Sequence, residues 1–142
     1  MRKQRTLSFP LFLVIALSFL ESILIIAGML PPVFSYSPGN LLFALATAAV
    51  IIHTSVSRAD ETLKESLING ATLGFTTASI ICASGLIGKE YFAKPVLGIS
   101  APTPESRFAM LLLIILENTF LSAILSATAA WLTKRLRRPS PQ

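Results

Sequence analysis

Residues 11–30 read LFLVIALSFLESILIIAGML, and this stretch decides what kind of protein the chain can be. Apart from two serines, one glycine and Glu21, every residue in it is apolar. A helix rises about 1.5 Å per residue, so about 20 residues reach across the hydrocarbon core of a bilayer. The stretch therefore predicts a transmembrane helix.

Three further apolar stretches follow, at about 41–57, 68–87 and 108–132. In the whole chain, 53% of the residues are hydrophobic and only 13% are charged, whereas soluble domains carry about 25% charged residues. We predict an all-α integral membrane protein in which four antiparallel transmembrane helices form a bundle. Residues 1–142 make a single membrane domain that ends in a basic C-terminal tail at 133–142.

Local signals predict where the helices begin and end. The Pro31-Pro32 pair would stop the first helix, since proline cannot donate the next backbone hydrogen bond. Asp60 is expected to cap the third helix. Thr103 followed by Pro104 is typical of a helix start and predicts the beginning of the fourth.

The alternative for the first stretch is a cleaved signal peptide over about residues 1–28. Its apolar run exceeds the usual core of about 7–15 residues, Glu21 interrupts it, and no A-x-A cleavage site follows. We therefore expect a retained membrane span.

The lysines and arginines predict the orientation of the chain. Nine of the twelve lie in the N-terminal segment, in the connection between the second and third stretches, or in the C-terminal tail. Three lie in the third connection, Lys89, Lys94 and Arg107. Because these residues are enriched on the cytoplasmic side, we expect both termini on the cytoplasmic face of the cell (plasma) membrane. The same bias explains the net charge of +5 without a nucleic-acid partner.

Two stripes of residues spaced four apart mark the third and fourth stretches. They comprise Gly70, Gly74, Ala78, Asn118, Ser122 and Ser126. Small residues at this spacing let helix backbones approach closely, and polar residues in membrane helices usually face other helices. We expect the third helix at the centre of the bundle or, alternatively, at the seam of a homodimer.

Glu21 and Glu117 are acidic residues within apolar stretches, each within about 5 Å of the middle of its span. Because their helices run in opposite directions, their depths match. A charge at that depth costs on the order of a few kcal/mol, so these carboxyls are candidates for holding a proton or a cation. Two adjacent carboxyls would share one proton. The alternative is structural, with each hydrogen-bonded to a neighbouring serine, threonine or asparagine.

His53 lies near the inner end of the second stretch. It is a candidate proton relay between the two carboxyls and the cytoplasm. The alternative is an interfacial, hydrogen-bonded histidine.

We expect no metal site, no cofactor and no enzymatic activity. The chain contains one histidine and one cysteine, Cys82, too few for a zinc, haem or copper site. It also lacks the H-E-x-x-H, G-x-S-x-G and P-loop motifs.

Four spans with a glutamate in the first resemble the small multidrug resistance exporters, which work as dimers through that carboxyl. The resemblance covers the number of spans and Glu21. The long third connection, about 88–107, and the second acid, Glu117, depart from that family, so the chain is not assigned to it.

Two functions fit these observations. The first, which requires fewer coincidences, is an accessory, assembly or structural subunit in the lipid bilayer. Its polar stripes would pack against other membrane proteins or against a second copy of the chain. The second is a small proton- or cation-coupled transporter that uses Glu21 and Glu117.

Overall fold

The computed structural model describes residues 7–58, 60–99 and 103–137. It contains four α-helices and one short 3-10 turn: α1 (Ser8–Ile26), the turn Val33–Ser35, α2 (Pro38–Ser57), α3 (Leu63–Phe92) and α4 (Pro104–Leu136). The described ranges include no β-strand, which confirms the all-helical prediction. All four helices are long and apolar enough to cross a membrane.

The end of α1 is formed by a glycine. Gly28 has a φ of +78°, in the left-handed region that glycine adopts without steric cost. Its amide donates to the carbonyl of Ile25 (3.0 Å), and the amide of Met29 donates to the carbonyl of Leu24 (2.9 Å). These two bonds make a Schellman motif, which satisfies the last helical carbonyls. The proline pair at 31–32 lies beyond the end of the helix.

Hydroxyl caps begin α3 and α4. The Thr62 hydroxyl accepts a hydrogen bond from the Glu65 amide (3.2 Å), and the Glu65 carboxylate accepts one from the Thr62 amide (2.6 Å). This capping box starts α3, so the prediction that Asp60 caps the helix is wrong. The prediction for α4 is confirmed, because the Thr103 hydroxyl accepts from the Ser106 amide at 3.2 Å.

The central helix is α3. It packs most extensively against α4 and next against α1, while α2 packs mainly against α4 and α1. Val14 of α1, Ile51 of α2 and Leu73 of α3 are at most 2% exposed and pack together, with Leu125 of α4 against them. One apolar cluster therefore joins all four helices at a single level.

The connections are joined at the two ends of the molecule. At one end the amide of Val33 donates to the carbonyl of Val96 (2.9 Å), so the first and third connections touch. At the other end the ammonium group of Lys134 donates to the carbonyl of Glu61. The connection between α2 and α3 therefore lies beside the end of α4.

Candidate functional site

The closest helix contact in the described chain lies between α3 and α4, along the two predicted stripes. A Cβ built on Gly70 would lie 2.5 Å from the carbonyl oxygen of Ser122, and one on Gly74 would lie 2.7 Å from the carbonyl oxygen of Asn118. Only glycine tolerates so close an approach, which brings the two backbones together. The order of the two contacts shows that α3 and α4 run in opposite directions.

A hydrogen bond between side chain and backbone reinforces this contact. The Asn118 amide nitrogen donates to the Gly74 carbonyl at 2.9 Å. Such bonds between membrane helices contribute about 0.6 kcal/mol on average. Ala78 is 2% exposed and continues the small-residue face one turn further along α3. The stripes thus pack inside a single chain.

Ser126 joins three helices. Its hydroxyl donates to the carbonyl of Ser66 at 2.6 Å, and its oxygen lies 2.7 Å from the hydroxyl oxygen of Ser55. The Ser126 proton is donated to the Ser66 carbonyl, while the Ser55 hydroxyl donates to the carbonyl of Ile51 at 2.8 Å and lies close to the Ser126 oxygen. Sequence reasoning did not identify Ser55 or Ser66. Ser66 lies four residues before Gly70 and extends the stripe of α3, so this spacing could have identified it. No comparable spacing marks Ser55.

Glu21 lies on the buried face of α1 between Ser18 and Ser22 and is only 6% exposed. Both serine hydroxyls donate to carbonyls of their own helix at 2.8 Å, Ser18 to Val14 and Ser22 to Ser18. Their protons are therefore not available to the carboxyl. Within the described residues, Glu21 forms no hydrogen bond or ion pair. It is a buried acid without a partner.

Glu117, unlike Glu21, is not buried. It is exposed on α4, beside Leu113 and Phe120, which are 63% and 66% exposed. Because α1 packs on α2 and α3 rather than on α4, the structure does not bring Glu21 and Glu117 together. A shared proton between these two carboxyls is not formed within one chain.

His53 is exposed near the end of α2, where its Nε2 lies 3.4 Å from the Ser57 hydroxyl oxygen. It lines a cavity of about 400 Å³ between the start of α1 and the end of α2. Ile51 packs at the level of Val14, and Glu21 lies two turns further along α1, a rise of about 10 Å. The structure therefore does not place His53 next to Glu21.

Glu61 forms a polar junction that sequence reasoning did not identify. Its carboxylate accepts from Asn69 at 2.9 Å and from Arg58 at 3.4 Å, and its carbonyl accepts from Lys134. Residues from the end of α2, from α3 and from the end of α4 therefore meet at one acid. Its geometry suits a structural tie, because all these contacts are internal.

No group that could hold a metal ion is formed by the residues that the structure describes, since no three histidine, cysteine or acidic side chains lie together.

Comparison with known proteins finds no matching family model, no matching curated protein and no matching solved structure.

The contact between α3 and α4 yields a stability prediction. We expect Gly74→Ala to lower the free energy of unfolding by about 1–3 kcal/mol, because the added methyl group meets the Asn118 carbonyl and the Ser122 side chain. Ala83→Val adds volume on an exposed part of the same helix and is the control. Reversible unfolding in mixed micelles measures both variants, and equal stability would contradict the close contact.

Proposed function

We propose that this chain is a multi-pass membrane protein that acts as an accessory or assembly subunit, with one face of α4 bound to a helix of another membrane protein. The observation that carries the proposal is the exposed carboxyl of Glu117 in the middle of an apolar helix face.

Insertion in a bilayer is supported by four long apolar helices. The joined first and third connections at one end, and the contact of Lys134 with Glu61 at the other, fit four helices of alternating direction. Most lysines and arginines belong to the segments at the Lys134 end or to the termini. By the positive-inside rule this end faces the cytoplasm, together with both termini.

This orientation predicts a labelling pattern. With Cys82 replaced by alanine, Tyr36→Cys should react from outside intact cells with a membrane-impermeant maleimide, because Tyr36 is 87% exposed in the first connection. Leu136→Cys, 77% exposed at the end of α4, should react only after permeabilisation. The reverse pattern would invert the orientation, and labelling of both sites in intact cells would contradict insertion.

The proposed partner contact involves the α4 outer face. This face is defined by Leu113, Leu116, Glu117, Phe120 and Leu121. Its four apolar members are each more than half exposed, and lipid can cover them. Lipid cannot solvate a carboxyl, and an ionisable side chain at membrane depth usually faces protein or a water-filled cavity. We infer that a helix covers this face and gives Glu117 a hydrogen-bond donor.

The charge pattern favours a different protein over a second copy. In a two-fold dimer through this face, Glu117 would meet the same acid of the other chain. The lysines and arginines among the described residues lie at helix ends or in the connections, so in a second copy these residues offer no cation at that depth. The partner that fits is a membrane helix with a basic or amide side chain near mid-membrane.

Co-purification tests the partner. We expect the chain, extracted from its native membrane in a mild detergent, to migrate with larger membrane proteins at a fixed ratio. Glu117→Leu should reduce this association about tenfold, the effect of losing roughly 1.4 kcal/mol. Glu105→Leu removes the same charge from the first turn of α4 and should leave the association unchanged. A wild-type chain that emerges alone, or only as a homo-oligomer, would overturn the proposal.

The second candidate function is proton- or cation-coupled transport. The observation that favours it is Glu21, which is buried without a partner in the described structure. The exposed position of Glu117 means that any such site would rest on Glu21 alone within one chain. A buried carboxyl of this kind can take up and release a proton when water reaches it.

Reconstitution separates the two candidates. If the chain transports protons, wild-type proteoliposomes should dissipate a pH gradient followed by an internal dye, and Glu21→Gln should abolish that flux. Glu117→Gln serves as the control and should retain it. Absence of flux from well-inserted wild-type protein would exclude proton conduction through Glu21.

A further inference from the structure

A cavity lies at the end of the molecule where the first and third connections meet. It has a volume of about 400 Å³, is open on one side, and is lined by the second half of α3, the third connection and the first half of α4. Leu86, Leu111 and Ile114 form part of an apolar wall. Lys89 and Arg107 also line it and are the only ionisable side chains among its described lining residues.

The wall formed by the third connection is packed closely against α3. A Cβ on Gly88 would lie 2.6 Å from the Val96 side chain, and one on Gly85 would lie 2.9 Å from the side chain of Leu97. Val96 is 0% exposed and Leu97 is 9% exposed. The connection is therefore packed into α3 through two glycines, and the cavity has a defined shape rather than being the gap beneath a loose loop.

Arg107 has donor capacity that the described residues do not use. One terminal nitrogen of its guanidinium lies 3.5 Å from the Glu90 carboxylate, a long ion pair. Its Nε is buried and has no hydrogen-bond partner among the described residues. A buried unsatisfied donor is costly, and guanidinium groups bind phosphate oxygens through two donors at once. The cavity thus combines an apolar wall with two cations, and the Nε–H of Arg107 is buried next to it without a partner among the described residues.

We propose that this cavity binds a membrane phospholipid, with its phosphate on Lys89 and Arg107 and an acyl chain along the wall of Leu86, Leu111 and Ile114. The two cations lie near the ends of membrane-length helices, where lipid phosphates are found. The apolar wall is on the same two helices. Glu90, beside Arg107, opposes the anion, so Lys89 is needed to keep the site net positive.

This inference rests on the proposed membrane insertion but not on the proposed partner of α4. Binding to the purified chain in detergent tests it separately from co-purification, and cysteine labelling tests insertion separately from both. Failure of one proposal can therefore be distinguished from failure of another.

The probe is dioctanoyl phosphatidylglycerol, a short-chain phospholipid, titrated into delipidated protein in a non-ionic detergent. We expect saturable binding, with dioctanoylglycerol, which lacks the phosphate, at least about tenfold weaker. Arg107→Gln and Lys89→Gln should each weaken phospholipid binding about tenfold, as expected for the loss of one charge-assisted hydrogen bond. Lys94 lies in the third connection but does not line the cavity, so Lys94→Gln should leave phospholipid binding unchanged.

Three results would overturn the proposal. Equal binding of dioctanoylglycerol would mean an apolar groove without phosphate recognition. Full competition by inorganic phosphate at the same concentration would mean a free-phosphate site rather than a lipid site. Unchanged binding in both cation variants, with helical content and elution volume as in wild type, would place the lipid elsewhere on the molecule.

Discussion

The architecture depends on the approach of α3 to α4 at Gly70 and Gly74. At these positions a single methyl group would collide with backbone carbonyls of the facing helix. Lipid is as apolar as leucine, so burial of apolar surface does not by itself drive membrane helices together, and close packing and hydrogen bonds take its place. The two glycines allow that packing, and α1 and α2 then assemble against the pair.

Polar groups hold this assembly at defined points. Asn118 donates to a carbonyl of α3, and Ser126 connects α4 with α3 and α2. Glu61 joins three segments at the cytoplasmic end of the proposed orientation. Away from water, Asn118 and Ser126 need partners inside the protein, so they help to determine which helix faces meet.

The two acids within the apolar helices depart from this pattern in opposite ways. Glu21 is buried and has no partner in the described chain, while Glu117 is exposed on a face that lipid alone would cover poorly. The first is the group on which a transport function would depend. The second is the group on which the proposed partner contact would depend. The subunit proposal needs only the second, and it explains why α4 has so few buried residues although it is the longest helix.

Sequence alone predicted four helices of membrane length, because runs of apolar residues with few charges have few other stable environments. It also predicted the Thr103 cap and the stripes of α3 and α4, since local hydrogen bonding and a spacing of four are readable in the chain. It placed the cap of α3 at Asp60, although Thr62 and Glu65 have the spacing of a capping box, and the structure shows the reciprocal bonds of that pair. Tertiary structure alone decided that Glu21 faces inward and Glu117 outward. The stripe of α4 indicates which side meets α3, but most of the remaining surface of α1 and α4 is apolar and carries no signal for burial. Contacts with the neighbouring helices therefore decide whether each acid is covered.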